Sequence, residues 1–171
     1  ICFIFLGTLV VAQAEKTYER SIPLVTFGAL TACIIAIFPI ASGAIILIPT
    51  WLMSLGVVKE VNPLVYRTIW WAFGHSSQQI NVAAHVSVWY LVAAVVFGAK
   101  PMSERVSRGA FLLYILFLQL ASAHHLLADP GLSTSWKVVN TSYFMYFAVL
   151  ASMLHGLTIP GAMEVAQRQK G

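Results

Sequence analysis

Five long apolar segments follow one another along the chain, and they constrain its fold more than any other feature. Three of them exceed the roughly 20 residues that a helix needs to cross a bilayer. A β-barrel would instead show short alternating strands of about ten residues. Continuous runs predict transmembrane helices, because a helix satisfies its own backbone hydrogen bonds in lipid. The segments are approximately 1–14, 22–51, 64–98, 109–127 and 138–163.

The composition agrees with a chain that faces lipid over most of its surface. Of its 171 residues, 59% are hydrophobic and 9% are charged, whereas soluble domains carry about 25% charged residues. The net charge is +4, but the basic residues lie between the apolar runs, so membrane orientation explains them better than nucleic-acid binding. We therefore expect one all-α integral membrane domain over residues 1–171. Its expected partner is the lipid bilayer, and we expect no binding of nucleic acid.

Prolines and segment lengths refine this prediction. The first segment, 1–14, is too short to span a bilayer and resembles the second half of a spanning helix whose first half is missing. In the second segment, Pro23 and Pro49 suit the two ends, and Pro39 predicts a kink near the middle. Cys2 and Cys33 lie inside apolar runs and are interpreted as packing residues.

Basic residues between the segments predict the orientation of the chain. Seven lie on one side if every segment spans once, against two on the other side with Arg67 at its border. By the positive-inside rule, loops 15–21 and 99–108 and the C-terminal tail are then cytoplasmic, and the chain lies in the cell membrane. The first set is Lys16, Arg20, Lys100, Arg105, Arg108, Arg168 and Lys170, and the second is Lys59 and Lys137.

Histidines from two neighbouring segments reach the same depth in this orientation. His75 falls in the outer half of the third segment, and His124 and His125 fall near the outer end of the fourth. Three neutral imidazoles without a thiolate suit copper, zinc or iron, and copper binds most tightly in the Irving–Williams order. Adjacent histidines at a helix end are also typical of a membrane interface. The metal-site hypothesis therefore requires that the three imidazole rings lie close together.

The stretch GHSSQQINVAAH, residues 74–85, is polar for a membrane helix. His75, Gln78 and Gln79 share one helical face, and Asn81 and His85 continue a polar stripe. Such residues form either a functional cavity or hydrogen bonds between helices, and their density favours the cavity.

Other polar residues of the apolar segments have simpler interpretations. His85 and His155 are each expected to be hydrogen-bonded core histidines. The hydroxyls of Tyr90, Thr141 and Ser142 are candidates for a proton path, with ordinary packing as the alternative.

Two stretches resemble subunit I of B-type cytochrome c oxidases, of the heme-copper oxidase superfamily. VNPLVYRTIWWAFGH resembles the segment leading into the copper-binding helix, and HHLLADPG followed by SWK resembles the double-histidine helix end and the next loop. The resemblance implies a five-helix fragment, helices four to eight of a twelve-helix bundle. It implies that His75, His124 and His125 bind the copper of the copper B site, and that Tyr90 and Thr141 belong to a proton path.

The resemblance also implies cofactors and partners. Haem is expected, with its ligands outside this chain. A subunit of the subunit II type, other oxidase subunits, and cytochrome c or a similar electron donor are the expected partners, with O2 or NO as substrate.

One departure from the family bears on the substrate. Oxygen-reducing members read GH-P-x-V-Y, and their tyrosine supplies an electron and a proton when the O–O bond breaks. Here Gln79 stands in the tyrosine position, and an amide cannot be oxidised in that way. Some nitric oxide reductases of the superfamily also lack the tyrosine, so NO reduction is slightly favoured over O2 reduction, with Gln79 as the catalytic candidate. The better-known nitric oxide reductases carry a glutamate on this helix, which is absent here. A non-catalytic homologue and a transporter with a polar midplane site remain alternatives.

Overall fold

The computed structural model describes residues 1–19 and 21–170, and this part of the chain contains helices and no strands. The predicted all-α fold is therefore confirmed. Arg20, counted above among the charges of the first cytoplasmic loop, lies outside the described residues. The α-helices are α1 (Cys2–Ala14), α2 (Leu24–Ser54), α3 (Pro63–Phe97), α4 (Glu104–Leu113), α5 (Thr134–Val139) and α6 (Met145–Arg168).

Three helical stretches are long and apolar enough to cross a membrane. They are α2, α3 and the continuous stretch Thr134–Arg168, whereas α1 is shorter. The stretch from α4 to Leu126 is also helical, but its winding changes along its length.

Irregular turns interrupt the last two helical stretches. A π-helical turn, Tyr114–Leu118, follows α4, and a 3₁₀ turn, Ala121–Leu126, carries the adjacent histidines. A second π turn, Asn140–Phe144, joins α5 to α6. A π turn widens the helix and a 3₁₀ turn tightens it. The direction of each histidine side chain therefore depends on these changes of winding.

Polar turns extend the last helices beyond their apolar cores. α4 begins at Glu104, before the predicted start at residue 109, because the Ser103 hydroxyl caps its first turn and Arg108 pairs with Glu104 at 2.5 Å. α6 continues to Arg168, past the predicted end at residue 163. The sequence predicted loops at these charged residues, but Glu104 and Arg108 lie in α4, and Glu164 and Arg168 lie in α6, as pairs with helical i, i+4 spacing.

The expected helix end at Pro49 was wrong. α2 begins after Pro23, runs through Pro39 and Pro49 and ends at Ser54. A proline removes one backbone donor, and the remaining backbone hydrogen bonds keep the chain helical where no water competes.

The most extensive helix contact joins α2 and α3. A Cβ atom at Gly28 would lie 2.7 Å from Cζ of Phe111 and 2.8 Å from Cβ of Ser87, so only glycine permits this approach. The Ser87 hydroxyl donates to the Val25 carbonyl at 2.6 Å. Close packing thus fixes α3, which also contacts the 3₁₀ turn of the adjacent histidines.

Candidate metal centre

The structure brings His75, His124 and His125 together. One ring nitrogen from each lies within 4.8 Å of the other two. Nδ1 of His75 is 3.2 Å from Nε2 of His125, and the ring centroids of His75 and His124 are 4.5 Å apart. His75 is buried, and the other two are half-buried. The three candidate ligands thus form one cluster at the junction of α3 and the 3₁₀ turn.

Hydrogen bonding fixes which nitrogen His124 presents. Its Nδ1–H donates to the Ala121 carbonyl at 2.5 Å, so Nε2 keeps its lone pair. His75 turns Nδ1 towards Nε2 of His125. The donor set is therefore Nδ1 of His75 with Nε2 of His124 and Nε2 of His125.

This donor set fits a single metal ion. Bonds of about 2.0–2.1 Å place the nitrogens of a trigonal or tetrahedral site about 3.4–3.6 Å apart. The observed separations of 3.2 Å for one pair and at most 4.8 Å for all three bracket that range. Small ring movements suffice to bind the ion, and an all-imidazole set suits copper.

Trp71 forms one wall of the cluster. Its indole stacks on the His125 ring, with centroids 4.0 Å apart and planes 7° from parallel. Its buried Nε1–H has no hydrogen-bond partner among the described residues. Stacking restricts rotation of the His125 ring and thereby helps to keep Nε2 directed at His75.

Gln79 lies one helical turn after His75 and contacts its ring. The Gln79 amide nitrogen is 3.2 Å from Nε2 of His75, on the side of the ring opposite the donor Nδ1. If Nδ1 binds a metal, Nε2 carries the proton. A 180° rotation of the amide then presents Oε1 as the acceptor of that proton. The side chain is thus placed to orient His75, in addition to facing a cavity.

A cavity of about 170 Å³ adjoins the cluster. His75 and Gln79 line it from α3, and Ser152 lines it from α6; most of the other lining residues are apolar. This cavity is open to the surface of the chain, where the exposed Val149 lines it.

Tyr90, which also lies on α3, belongs to a buried polar group whose other members lie on α4 and α6. Its hydroxyl lies 2.9 Å from Oγ of Ser107, 3.0 Å from Nδ1 of His155 and 3.0 Å from Oγ1 of Thr158. His155 is a buried, hydrogen-bonded core histidine, as predicted, and its buried Nε2 has no partner in the described part of the chain. The spacing of His155 and Thr158, three residues apart on one helical face, is the sequence signal that could have identified this group.

Thr141 and Ser142 do not join that group. Both are exposed, and their hydroxyls donate to backbone carbonyls of the preceding turn, those of Lys137 and Val138. The stripe residues Gln78, Asn81 and His85 are also exposed on this chain. The interpretation of His85 as a hydrogen-bonded core residue therefore does not fit this surface position.

The turn after the histidine pair is held from two sides. Arg67 of α3 forms a bidentate ion pair with Asp129, and Lys137 Nζ donates to the Asp129 carbonyl at 2.9 Å. Gly131 adopts φ +89°, a conformation that favours glycine. These contacts fix the exit of the chain from the cluster.

Comparison with known proteins identifies the family. The chain matches, over residues 1–167, the family described as "Cytochrome C and Quinol oxidase polypeptide I". It is 30% identical over 152 residues to cytochrome c oxidase subunit 1 of Thermus thermophilus. The aligned region covers 87% of this chain and 26% of that relative. The chain therefore spans about a quarter of the length of that relative. Its apolar helices are those of a multi-pass membrane protein, and the chain belongs to the family of cytochrome c and quinol oxidase subunit I, the heme-copper oxidase family.

Proposed function

We propose that this chain forms the copper-binding part of the catalytic subunit of a B-type heme-copper reductase, an oxidoreductase that prefers NO to O2. The observation that carries the substrate preference is Gln79. It stands where oxygen-reducing members carry a tyrosine, and its amide lies 3.2 Å from His75 Nε2.

The proposed copper ligands are His75, His124 and His125. Their three nitrogens lie within 4.8 Å of one another, and no carboxylate or thiolate joins this cluster of described residues. When bound, copper supplies a binding position for the gas and a one-electron redox centre. The protein contributes three neutral donors whose orientation is set by the Ala121 carbonyl, the Trp71 ring and the Gln79 amide.

Gln79 suits NO reduction because of what an amide can and cannot do. With its amide rotated by 180°, Oε1 accepts a hydrogen bond from Nε2–H of His75 and so keeps Nδ1 available to the metal. It cannot supply the electron and proton that a tyrosine supplies for O–O cleavage. Reduction of two NO molecules consumes two protons and two electrons and yields N2O and water, so no O–O bond is broken. The electrons come from the external donor of the whole enzyme.

O2 reduction is the second candidate, and Tyr114 is the observation that favours it. The buried Tyr114 hydroxyl lies 3.0 Å from Oγ of Ser152, which lines the cavity beside Gln79. A redox-active phenol one hydroxyl away from the cavity could replace the absent tyrosine. Tyr143 is a weaker replacement, because it is 54% exposed and packs against Phe117 and Phe147.

Two further alternatives have less support. A non-catalytic homologue has no need of three converging imidazoles, and a transporter has no need of a fixed metal donor set. The tautomer-setting contact of His124 argues for metal chemistry over both.

Haem is expected from the family, but we assign no ligand for it. Among the described residues, the histidines outside the cluster are His85, which is exposed, and His155, which bonds to Tyr90, and neither lines the cavity.

Proton delivery is proposed to pass through Tyr90 and its partners Ser107, His155 and Thr158, and not through Thr141 and Ser142. The buried position of this group and its mutual hydrogen bonds support that route. The remaining proposals concern the setting of the whole enzyme. They are a cell-membrane location with loops 15–21 and 99–108 and the tail cytoplasmic, a subunit II type partner among other oxidase subunits, and cytochrome c or a similar electron donor.

Turnover of the whole enzyme with both gases tests the proposal. The full-length protein with its partner subunits is supplied with the same reduced donor, and N2O formation and O2 consumption are measured separately. We expect faster turnover of NO than of O2. His124→Ala should remove copper and abolish turnover, because two imidazoles cannot replace three. Rapid O2 consumption without N2O formation would overturn the NO preference, and retained copper in His124→Ala would overturn the metal site.

A matched pair of variants tests the role of Gln79. Gln79→Leu removes the acceptor from His75 and should lower copper affinity or NO turnover by about 10–100-fold, as loss of a ligand-orienting partner does. Gln167→Leu changes an exposed glutamine of α6 and should leave both unchanged. Equal behaviour of the two variants would show that Gln79 does not act on the site.

A further inference from the structure

A chain of side-chain hydrogen bonds joins three helical stretches beside the metal centre. The Ser76 hydroxyl donates to Oε1 of Gln119 at 2.5 Å, and Nε2 of the same amide donates to the Ile35 carbonyl at 3.2 Å. Ser76 directly follows His75 on α3, and Gln119 precedes the histidine pair by five residues. One amide therefore connects the segments that supply all three proposed ligands with α2.

The Ile35 carbonyl is available because of Pro39. A proline inside a helix cannot donate to the carbonyl four residues earlier, which for Pro39 is that of Ile35. Pro49 and Pro160 likewise lie inside helices. Within the described part of the chain, only the carbonyl released by Pro39 receives a side-chain donor, from Gln119. The Gln119 amide thus satisfies a specific backbone acceptor.

Gln119 lies where the winding of its own helix changes. The π turn ends at Leu118, and the 3₁₀ turn of the histidine pair begins at Ala121. The next carbonyl, that of Leu120, accepts from the buried Asn140 amide. Side chains from neighbouring helices therefore hold this junction where the regular α-helical hydrogen bonding is interrupted.

The geometry of the metal centre depends on the rotation of this junction. A change of one residue in helical register turns the following side chains by about 100°, which would carry His124 and His125 away from His75. The Ser76–Gln119 bond ties the junction to the residue next to His75, and the bond to Ile35 ties it to α2. Ser76 is fully buried and Gln119 is half-buried, so solvent competes little for the inner bond of this amide.

We propose that Gln119 is a positioning residue of the metal centre, acting through Ser76 and the Ile35 carbonyl to hold the histidine pair against His75. This inference rests on the proposed copper site. Gln119 itself contributes no metal ligand, and it acts by fixing the register and spacing of the three imidazoles.

Copper binding in variants of the whole enzyme tests the proposal. Gln119→Leu removes both bonds, and Ser76→Ala removes the one to α3. Cu(I) affinity is measured by competition with bicinchoninate, and the site geometry by the infrared stretching band of carbon monoxide added to the reduced enzyme. Gln119→Leu should lower copper affinity by about 10–100-fold and broaden or split the band. Ser76→Ala should change both in the same direction.

The double variant distinguishes a connected unit from separate packing effects. If Ser76 acts through Gln119, the combined variant should bind copper within about twofold of Gln119→Leu alone, because the two changes break the same connection. Ser87→Ala is the matched control. Ser87 is also a buried α3 serine bonded to α2, at 2.6 Å from the Val25 carbonyl, but it lies three turns from His75. It should leave copper affinity and the band unchanged.

Two results would overturn the inference. One is wild-type copper affinity and an unchanged band in both Gln119→Leu and Ser76→Ala. The other is an equal loss in Ser87→Ala, which would indicate general loosening of the bundle. If Gln119→Leu does not accumulate as folded protein, the Ser76→Ala variant tests the inference alone, since alanine suits a buried helical position. If His124→Ala retains its copper, the proposed copper site itself is wrong, and this result is distinct from a failure of the role proposed for Gln119.

Discussion

Substitution of Gly28 by alanine tests whether the close approach of α2 to α3 stabilises the fold. The added Cβ would lie 2.7 Å from Cζ of Phe111 and 2.8 Å from Cβ of Ser87, whereas ordinary contacts lie at 3.4–4 Å. Cβ of Ser87 is fixed to the α3 backbone, and the Phe111 ring is fully buried. Neither neighbour can rotate away, so the helices themselves must move apart.

The size of this movement sets the expected loss of stability. A separation of about 0.6 Å restores an ordinary contact with Ser87 and stretches the 2.6 Å bond from Ser87 to the Val25 carbonyl. Overpacking of a tight core costs about 1–3 kcal/mol. Weakening one buried hydrogen bond adds up to about 1 kcal/mol. Alanine also gains about 0.5–1 kcal/mol of helix propensity inside α2, so we expect Gly28→Ala to lower the free energy of unfolding by about 1–3 kcal/mol.

Gly156→Ala provides the control. It lies inside α6, and a Cβ there would have no neighbour within 4 Å, so alanine should add about 0.5–1 kcal/mol through its higher helix propensity. Thermal unfolding of the whole protein in detergent, followed by intrinsic fluorescence, measures both variants. A midpoint for Gly28→Ala at or above that of the wild type would refute the reasoning.

Two further predictions concern the buried polar group and the turn beyond the histidine pair. Tyr90→Phe removes the hydroxyl that is hydrogen-bonded to His155 and should slow turnover about tenfold or more without loss of copper. The control Tyr66→Phe, on the same helix, should leave the turnover rate unchanged. Equal turnover rates in the two variants would contradict a proton path through Tyr90. Asp129→Asn removes the ion pair with Arg67 and should lower the thermal midpoint at low salt, with a smaller difference at 1 M salt because the exposed guanidinium is screened. A difference that does not depend on salt would refute that electrostatic explanation.

The convergence of the three histidines could be predicted from the sequence because its determinants are local and few. Helix length, loop charge and the positions of His75, His124 and His125 place three rings at one depth, and the helical period places Gln79 beside His75. The direction of the Gln79 amide could not be predicted. It depends on which nitrogen of His75 faces His125, and that is set by packing of α3 on the 3₁₀ turn.

Contacts between distant segments account for what the sequence did not indicate. The helical period could place His155 and Thr158 on one face of α6, but it could not show that Tyr90 and Ser107 meet them, because that depends on the packing of α4 and α6 on α3. The hydroxyls of Thr141 and Ser142 have the right chemistry for a proton path but bond to their own helix. The irregular windings were also not predicted, because residues 114–118 have the composition of an ordinary apolar helix and the polar residues of 140–144 carry no signal specific to a π turn.

The π turn at Tyr114–Leu118 determines which one-residue changes in this helix the candidate metal site can tolerate. Such a turn contains one residue more than an α turn. Loss of one residue within it would restore α winding and leave the helix beyond it near its present orientation, so His124 and His125 would stay near His75. The same loss in regular α-helix, where there is no extra residue, would rotate the following side chains by about 100° and carry both histidines away from His75. Of the one-codon deletions upstream of the histidine pair, those within this short segment are therefore the ones expected to retain the site.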